Sequence, residues 1–454
     1  IPRAHPNPSS DWKRMQLKKN ALRVGTGLAM AGMLALQIIF APGASSATGK
    51  VTVWLEENDL STCFADVLTS ANKNSGLSFD MTAKPQLTEA MRTALASGGA
   101  PDVIFTPGPA FTSEFAKAGL LEPLDSYAKK FGWNESISPW NLALGKVNSK
   151  LYSLGSEQET MLLWYNKTVL EQLGVKVPKT TKQFSAALDK VAAAGVTPFA
   201  GGNTEWKPVN EWFLSAMWNA VAGPDNVYKA LTGKMKWNSK PFVQATNTLN
   251  GWMTKGYMSG GLDRYYTKTF EEFQTDHANG KAAFSMEGSW RFGNIGSQFK
   301  ESGQEWGWAP FPTKDGKELY SIGVGSSWGI NKSSKNKAGA AEFLKALFTP
   351  TTQANLVMKC GMNPAPVQIA KKMLAGQEKR HADSIVRLGQ AAAKGNFGYL
   401  TWAFWPPKTQ NFLIEEIEKV WAGSVTTKQY LQGIDKVFAE ELASKSVPPI
   451  PARG

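Results

Sequence analysis

Apolar and polar positions along the chain follow two periods. Val51-Thr-Val-Trp-Leu55, Ser78-Phe-Asp-Met-Thr82 and Pro101-Asp-Val-Ile-Phe105 are short runs rich in β-branched and aromatic residues, bounded by turn formers, and each predicts a strand. Between them, Ser61 to Asn72 and Thr88 to Ser97 carry apolar residues at helical spacing, the second ending at Gly98-Gly99. Strands alternating with helices predict a parallel sheet flanked by helices on both faces.

The helical signal is clearest further on. Thr180-Thr-Lys-Gln183 is a capping-box pattern, in which hydroxyl and amide satisfy the free N–H groups of a first turn. Phe184, Leu188 and Val191 then share one face, and Gly195 ends the helix. Thr426-Thr-Lys-Gln429 repeats the device ahead of a stripe of Leu431, Ile434, Val437, Phe438 and Leu442. Ala338 to Phe348 is a third amphipathic helix, stopped before Pro350. The last ten residues, rich in Pro, read as a frayed tail. No internal repeat or low-complexity tract occurs.

One stretch combines a strand signal with ligand chemistry. In Asn279 to Arg291 a turn leads into a small and apolar run (Ala282, Ala283, Phe284, Met286), which reads as a buried strand. It ends at Glu287-Gly-Ser-Trp-Arg291. Ligands of open α/β sheets bind beyond the carboxyl ends of strands. An indole there offers an apolar face, and a carboxylate and guanidinium beside it can aim hydrogen bonds, a combination suited to a pyranose ring. A core Trp290 beside a surface Glu287–Arg291 pair fits this stretch equally well.

A length of 454 residues predicts two lobes of roughly 150–250 residues each. The 17 Trp and 23 Phe are the compositional anomaly, and many Trp sit beside polar residues, as ligand clefts require. The net charge is +13, but six basic residues and one acid in the first 47 leave +8 for the rest, without a basic stripe. A solvated basic surface fits this better than nucleic-acid binding. Residues 1–14 read as an upstream segment. From Met15, a basic region, an apolar run from Val24 to Phe40 and small residues ending Ser45-Ser-Ala47 predict a secretory signal peptide over 15–47, cleaved near Ala47; an uncleaved membrane anchor is the alternative. No cysteine near that position provides for a lipid anchor. Cys63 and Cys360 are the two cysteines, and sequence alone leaves their pairing open. Three scattered His support no metal site or nucleophilic pair.

An ordered set of segments carries a family resemblance. Tyr152-Ser-Leu-Gly-Ser-Glu-Gln-Glu159 leads into Met161-Leu-Leu-Trp-Tyr-Asn-Lys167, Leu170-Glu-Gln-Leu-Gly-Val175 and Pro178-Lys-Thr-Thr-Lys-Gln-Phe184. Gly280-Lys-Ala-Ala-Phe284, Gly288-Ser-Trp290, Trp308-Ala-Pro-Phe-Pro312 and Gly329-Ile-Asn-Lys-Ser-Ser334 follow. Over residues 50–445 the chain resembles the extracellular solute-binding proteins of family 1, the sugar-binding subunits of ABC importers. The resemblance implies an α/β, two-lobed periplasmic-binding-protein-like fold of type II. Each lobe is then a mostly parallel sheet flanked by helices, with the ligand cleft between lobes. The chain would pass between lobes at Leu154–Trp164, at Ser321–Trp328, and again within 380–400. The first lobe is then 48–156 plus 328–385, the second 157–327 plus 386–454. Cys63 and Cys360 both fall in the first lobe, which makes a disulfide plausible beside the alternative of two buried thiols.

The resemblance also implies site residues. Trp290 matches the aromatic that stacks on the sugar, and Glu159 an acid that accepts from a sugar hydroxyl. Glu57 and Asn58 follow the first strand where polar contacts occur, helix capping being their alternative. Ser327 and Trp328 lie at the second passage, as ligand contacts or as packing. Among Trp402, Phe404 and Trp405, one is expected to supply a further platform, so Trp402 and Trp405 are candidates, together with Glu287 and Arg291. Trp206 and Trp212 read as core. Thr106-Pro-Gly-Pro-Ala110 departs from the family by offering neither an aromatic nor an acid. The implied protein is a monomer that binds a mono- or oligosaccharide by lobe closure and delivers it to membrane permease subunits. It has no catalytic residues, cofactor, metal or nucleic-acid partner. A secreted glycoside hydrolase, with Glu57, Glu159 and Glu287 as candidate carboxylates, and a binding protein serving a sensor or chemoreceptor remain as alternatives.

Overall fold

The computed structural model describes residues 49–453 apart from 59, 74, 75 and 368; the predicted signal peptide lies outside the described residues. The strands are β1 (Gly49–Glu56), β2 (Leu77–Lys84), β3 (Val103–Thr106), β4 (Lys146–Val147), β5 (Lys150–Leu151) and β6 (Ser153–Gly155). They continue as β7 (Gln158–Asn166), β8 (Thr197–Ala200), β9 (Ala282–Gly288), β10 (Trp306–Pro310), β11 (Tyr320–Val324), β12 (Ser327–Ile330) and β13 (Phe397–Tyr399).

Two larger sheets organise these strands, and β4 and β5 form a small hairpin apart from them. The first has the order β2-β1-β3-β12-β6, the second β13-β11-β7-β9-β8 with β10 also on β7. Along β1 the inward positions Val51, Val53 and Leu55 are buried, the alternation a strand with one covered face requires. Helices Ser61–Ala71 and Lys337–Leu347 supply Phe64, Leu68, Phe343 and Leu344 to the same core. β9 is buried at every position, as its apolar run predicts for a strand covered on both faces. One of its faces joins a core with Phe184, Leu188, Phe199, Trp218 and Ile434. The other side of the second sheet carries Leu162, Trp164, Ile295, Trp306 and Ile322.

The two predicted capping boxes form, Thr180 with Gln183 and Thr426 with Gln429, and Thr269 with Glu272 makes a third. Pro350 ends one helix and begins another, Pro350–Cys360, whose cap is Thr349. A disulfide joins Cys63 to Cys360, on the two helices Ser61–Ala71 and Pro350–Cys360 that pack together.

Three expectations change. The C-terminal residues do not fray: Val447 and Ile450 pack on the second core, Tyr399 Oη donates to the Pro451 carbonyl at 3.1 Å, and Arg453 donates to the Phe397 carbonyl. Proline gives this segment few N–H groups, so side chains hold it instead of a ladder. Residues 379–385, grouped above with 328–378, belong to a helix that packs on the second sheet. Their helix, Lys379–Ala393, buries Leu388 and Ala391 against Ile322, and Trp308 Nε1 donates to the Arg380 carbonyl at 3.0 Å. Many of the tryptophans are core: Trp164, Trp218, Trp237 and Trp405 are among the largest fully buried side chains.

Candidate functional site

Strand direction decides where the carboxyl ends gather. In the first sheet β1, β2, β3 and β6 run one way and β12 the other. In the second, β8, β9, β10, β11 and β13 run one way and β7 the other. The chain leaves the carboxyl end of β6 through Ser156-Glu157 into β7, and the carboxyl end of β11 through Gly325-Ser326 into β12. The carboxyl edges of the two sheets therefore meet at these two passages, which is where an α/β fold places ligands.

On the second sheet this edge is aromatic. Trp290 follows β9, Trp402 follows β13, and both are partly exposed. Their ring centroids lie 6.3 Å apart, and Trp212 packs 5.1 Å from Trp290. Trp290 folds back over Gly288, where any Cβ would overlap its ring. Phe404 and Trp405 do not share this edge. Phe404 is fully buried, and Trp405 is 1 % exposed and donates from Nε1 to the buried Glu211 carboxylate at 2.8 Å. A short 3₁₀ turn, Thr401–Phe404, turns Trp402 outward and its neighbours inward. Burial pushes the Glu211 carboxyl up to about 8, opposed by its hydrogen bonds from Thr401 and Trp405.

Glu287 and Arg291 pair with each other instead of facing a ligand. Both are fully buried, and the guanidinium also donates to Ser285 Oγ at 3.3 Å. Gln274 donates to the Glu287 carboxylate. Desolvation lowers Arg291 to about 9, and burial, then the Arg291 charge, pushes His277 well below its usual range. The strand end that carries the pair is tied to β7: Trp164 Nε1 donates to the Glu287 carbonyl at 3.0 Å and Ser289 Oγ accepts from Thr160 N at 3.3 Å.

The passages hold the polar part. Glu159 is 7 % exposed, and its carboxylate accepts no hydrogen bond and pairs with no cation among the described residues. It lies against Gly325, where a Cβ would overlap the carboxylate. Burial raises its pKa well above the ordinary value, and the charges of Glu157 and Glu56 raise it further. Burial likewise pushes Glu157 up to about 7, against a hydrogen bond donated by Ser326 Oγ at 3.1 Å. The two passages are tied together: Ser156 N donates to the Ser326 carbonyl at 2.9 Å, the two serine hydroxyls bond, and Trp328 Nε1 donates to Ser156 Oγ at 2.8 Å.

Other candidates take packing or capping roles. Trp328 is 3 % exposed, stacked 5.7 Å from Phe64 and edge-on to Phe105. Ser327 is buried in β12, with its carbonyl facing Thr106 Oγ1 at 3.5 Å. Glu57 and Asn58 are exposed beyond β1, and the Asn58 side chain accepts from Leu60 N at 3.0 Å, as a turn residue before a helix does. Sequence reasoning did not single out Gly288, Glu157 or the Ser156–Ser326 pair. The Gly-x-Trp spacing, and a second acid two positions before Glu159, were the available signals.

A family model described as bacterial extracellular solute-binding protein matches residues 75–354, more than half of the chain. A maltotriose-binding protein of Pyrococcus abyssi is 24 % identical over 358 residues, spanning 77 % of this chain and 72 % of that protein. A multiple sugar-binding protein of Streptococcus mutans is 26 % identical over 288 residues, 61 % of this chain and 65 % of that one. Among solved structures, a chitin oligosaccharide binding protein superposes with a TM-score of 0.75 at 22 % identity, over 87 % of this chain and 99 % of that one.

Proposed function

Because the chain belongs to the bacterial extracellular solute-binding proteins, we propose that it captures a mono- or oligosaccharide between its lobes and delivers it to the permease of an ABC importer. The ligand is bound without being altered. The first lobe is 49–156 with 328–367, and the second 157–327 with 379–453. Signal-peptide cleavage near Ala47 releases the mature protein outside the cytoplasm.

The observation that carries this reading is the Glu159 carboxyl. No protein group among the described residues donates to this carboxylate, so its acceptor sites are left to water or to a ligand. Here it lies at the passage between lobes, on the same edge as two partly exposed indoles. A sugar hydroxyl supplies the missing donor, while Trp290 and Trp402 cover the apolar face of the ring. Micromolar affinity needs about 8 kcal/mol. Hydrogen bonds at about 0.5–1.5 kcal/mol each, the apolar ring area covered by two indoles and their stacking all contribute towards that figure. Contacts from both lobes make the closed state the better binder, which is the condition for closure on the ligand.

Intrinsic tryptophan fluorescence titrated against mono-, di- and oligosaccharides tests the reading. A saturable change with at least one sugar, recovered intact after long incubation, is expected. A flat response to every neutral sugar removes the proposal, and released reducing ends replace it with hydrolysis.

A further inference from the structure

We propose that the site takes a chain of linked sugars and that Trp206 is its outermost contact. This rests on the sugar-binding function proposed above and names the ligand class within it. Sequence reading placed Trp206 in the core, yet it is 47 % exposed, the one aromatic among the exposed large apolar side chains of the described residues.

Its place in the fold is specific. β8 runs parallel to β9, so the loop after Ala200 emerges on the same carboxyl edge as Trp290. The loop is pinned on both sides of the indole. The Glu205 carboxylate accepts from Phe270 N at 3.0 Å, and Lys207 Nζ donates to Glu415 at 2.9 Å and to Glu418 at 3.3 Å. Behind the ring, Trp212 packs at 5.4 Å and Phe270 at 6.5 Å. Trp206 is thus held in place by its neighbours while one side of it stays wet.

Trp212 is the common support. Only 4 % exposed, it touches Trp206 at 5.4 Å and Trp290 at 5.1 Å, so those two centroids lie within 10.5 Å of each other. Trp402 adds a third indole 6.3 Å from Trp290. The three indoles with exposed surface stand on the segments that follow β13, β9 and β8, all at the carboxyl edge of one sheet. A single pyranose covers one of these indoles. An oligosaccharide lying along the strand ends covers them in turn, with the exposed Thr204 and Glu205 beside its outer unit.

The test compares wild type, Trp206→Ala and Trp206→Phe by calorimetric titration. The probes are glucose, maltose, maltotriose and longer maltodextrins, and in parallel the N-acetylglucosamine series. In one series the wild type is expected to gain affinity with chain length. Trp206→Ala should lose that gain by about tenfold, the scale of one aromatic contact, with the shortest binding sugar unaffected. Trp206→Phe should retain most of it. Circular dichroism confirms that each variant is folded. Oligomer binding that Trp206→Ala leaves unchanged, or affinity that does not grow with length, overturns the inference and leaves the sugar-binding function standing. No response to any member of either series overturns the inference, and the sugar-binding function is then decided by the neutral-sugar fluorescence titration.

Discussion

Gly288 occupies ground that the Trp290 ring needs. Its backbone is ordinary, so the requirement is for space alone. Gly288→Ala should push the indole off its seat between Trp212 and Trp402 and weaken sugar binding about as much as Trp290→Ala, more than tenfold, with little change in melting temperature. Fluorescence titration of the two variants checks this, and an unchanged affinity in either takes Trp290 out of the site. Single residues show where the sequence was readable and where it was not. The Gly-Ser-Trp segment pointed to Trp290, but nothing distinguished Trp402 from Trp405, because a 3₁₀ turn that patterns do not announce sends one outward and the other to Glu211. Glu287 and Arg291 looked like ligand contacts because charges seldom face a core, and here each neutralises the other.

At the scale of elements, local chemistry was the legible part. A capping box is written in four consecutive residues, so the helices starting after Thr180 and Thr426 could be placed from sequence. Thr180→Ala should cost about 1 kcal/mol, read as a shift in the urea midpoint. The Glu287–Arg291 pair was legible as a pair, but its burial was not, since Gln274 and His277 reach it only when the helix Phe270–Ala278 docks on the strand. Glu287→Gln leaves a buried guanidinium without its counter-ion and should destabilise by about 3–5 kcal/mol, far more than the lost cap. If denaturant unfolding shows the two variants to be equal, the pair is not the anchor of the turn after β9. The C-terminal segment taught the reverse lesson: prolines that forbid a regular element did not prevent docking through Tyr399 and Arg453.

The whole molecule carries a pH dependence that follows from its passages. Burial, then the charge of Glu56, raises Glu157 from 4.5 to about 7. In that window the folded chain holds more protons than the unfolded one, so this group makes stability fall as pH rises, and the loss is complete above about 7. His277 and His381, held neutral by burial, act in the opposite sense below about 6.5, in a window that overlaps this one. The contribution is therefore isolated by difference: the gap between Glu157→Gln and wild-type melting temperatures should widen from about 4.5 to about 7 and then level off. Parallel melting profiles would discard it. A last consequence concerns the order in which the protein is made. β12 lies between β3 and β6, yet it is formed by residues 327–330, after the whole of β7 to β11. As the chain emerges from its N-terminus, β3 and β6 must wait for a neighbour that arrives late, and Cys63 waits longer still for Cys360. The sheet begun first is closed only after most of the second has been made, so a nascent chain stopped before residue 327 presents open sheet edges, the form that needs a holding chaperone.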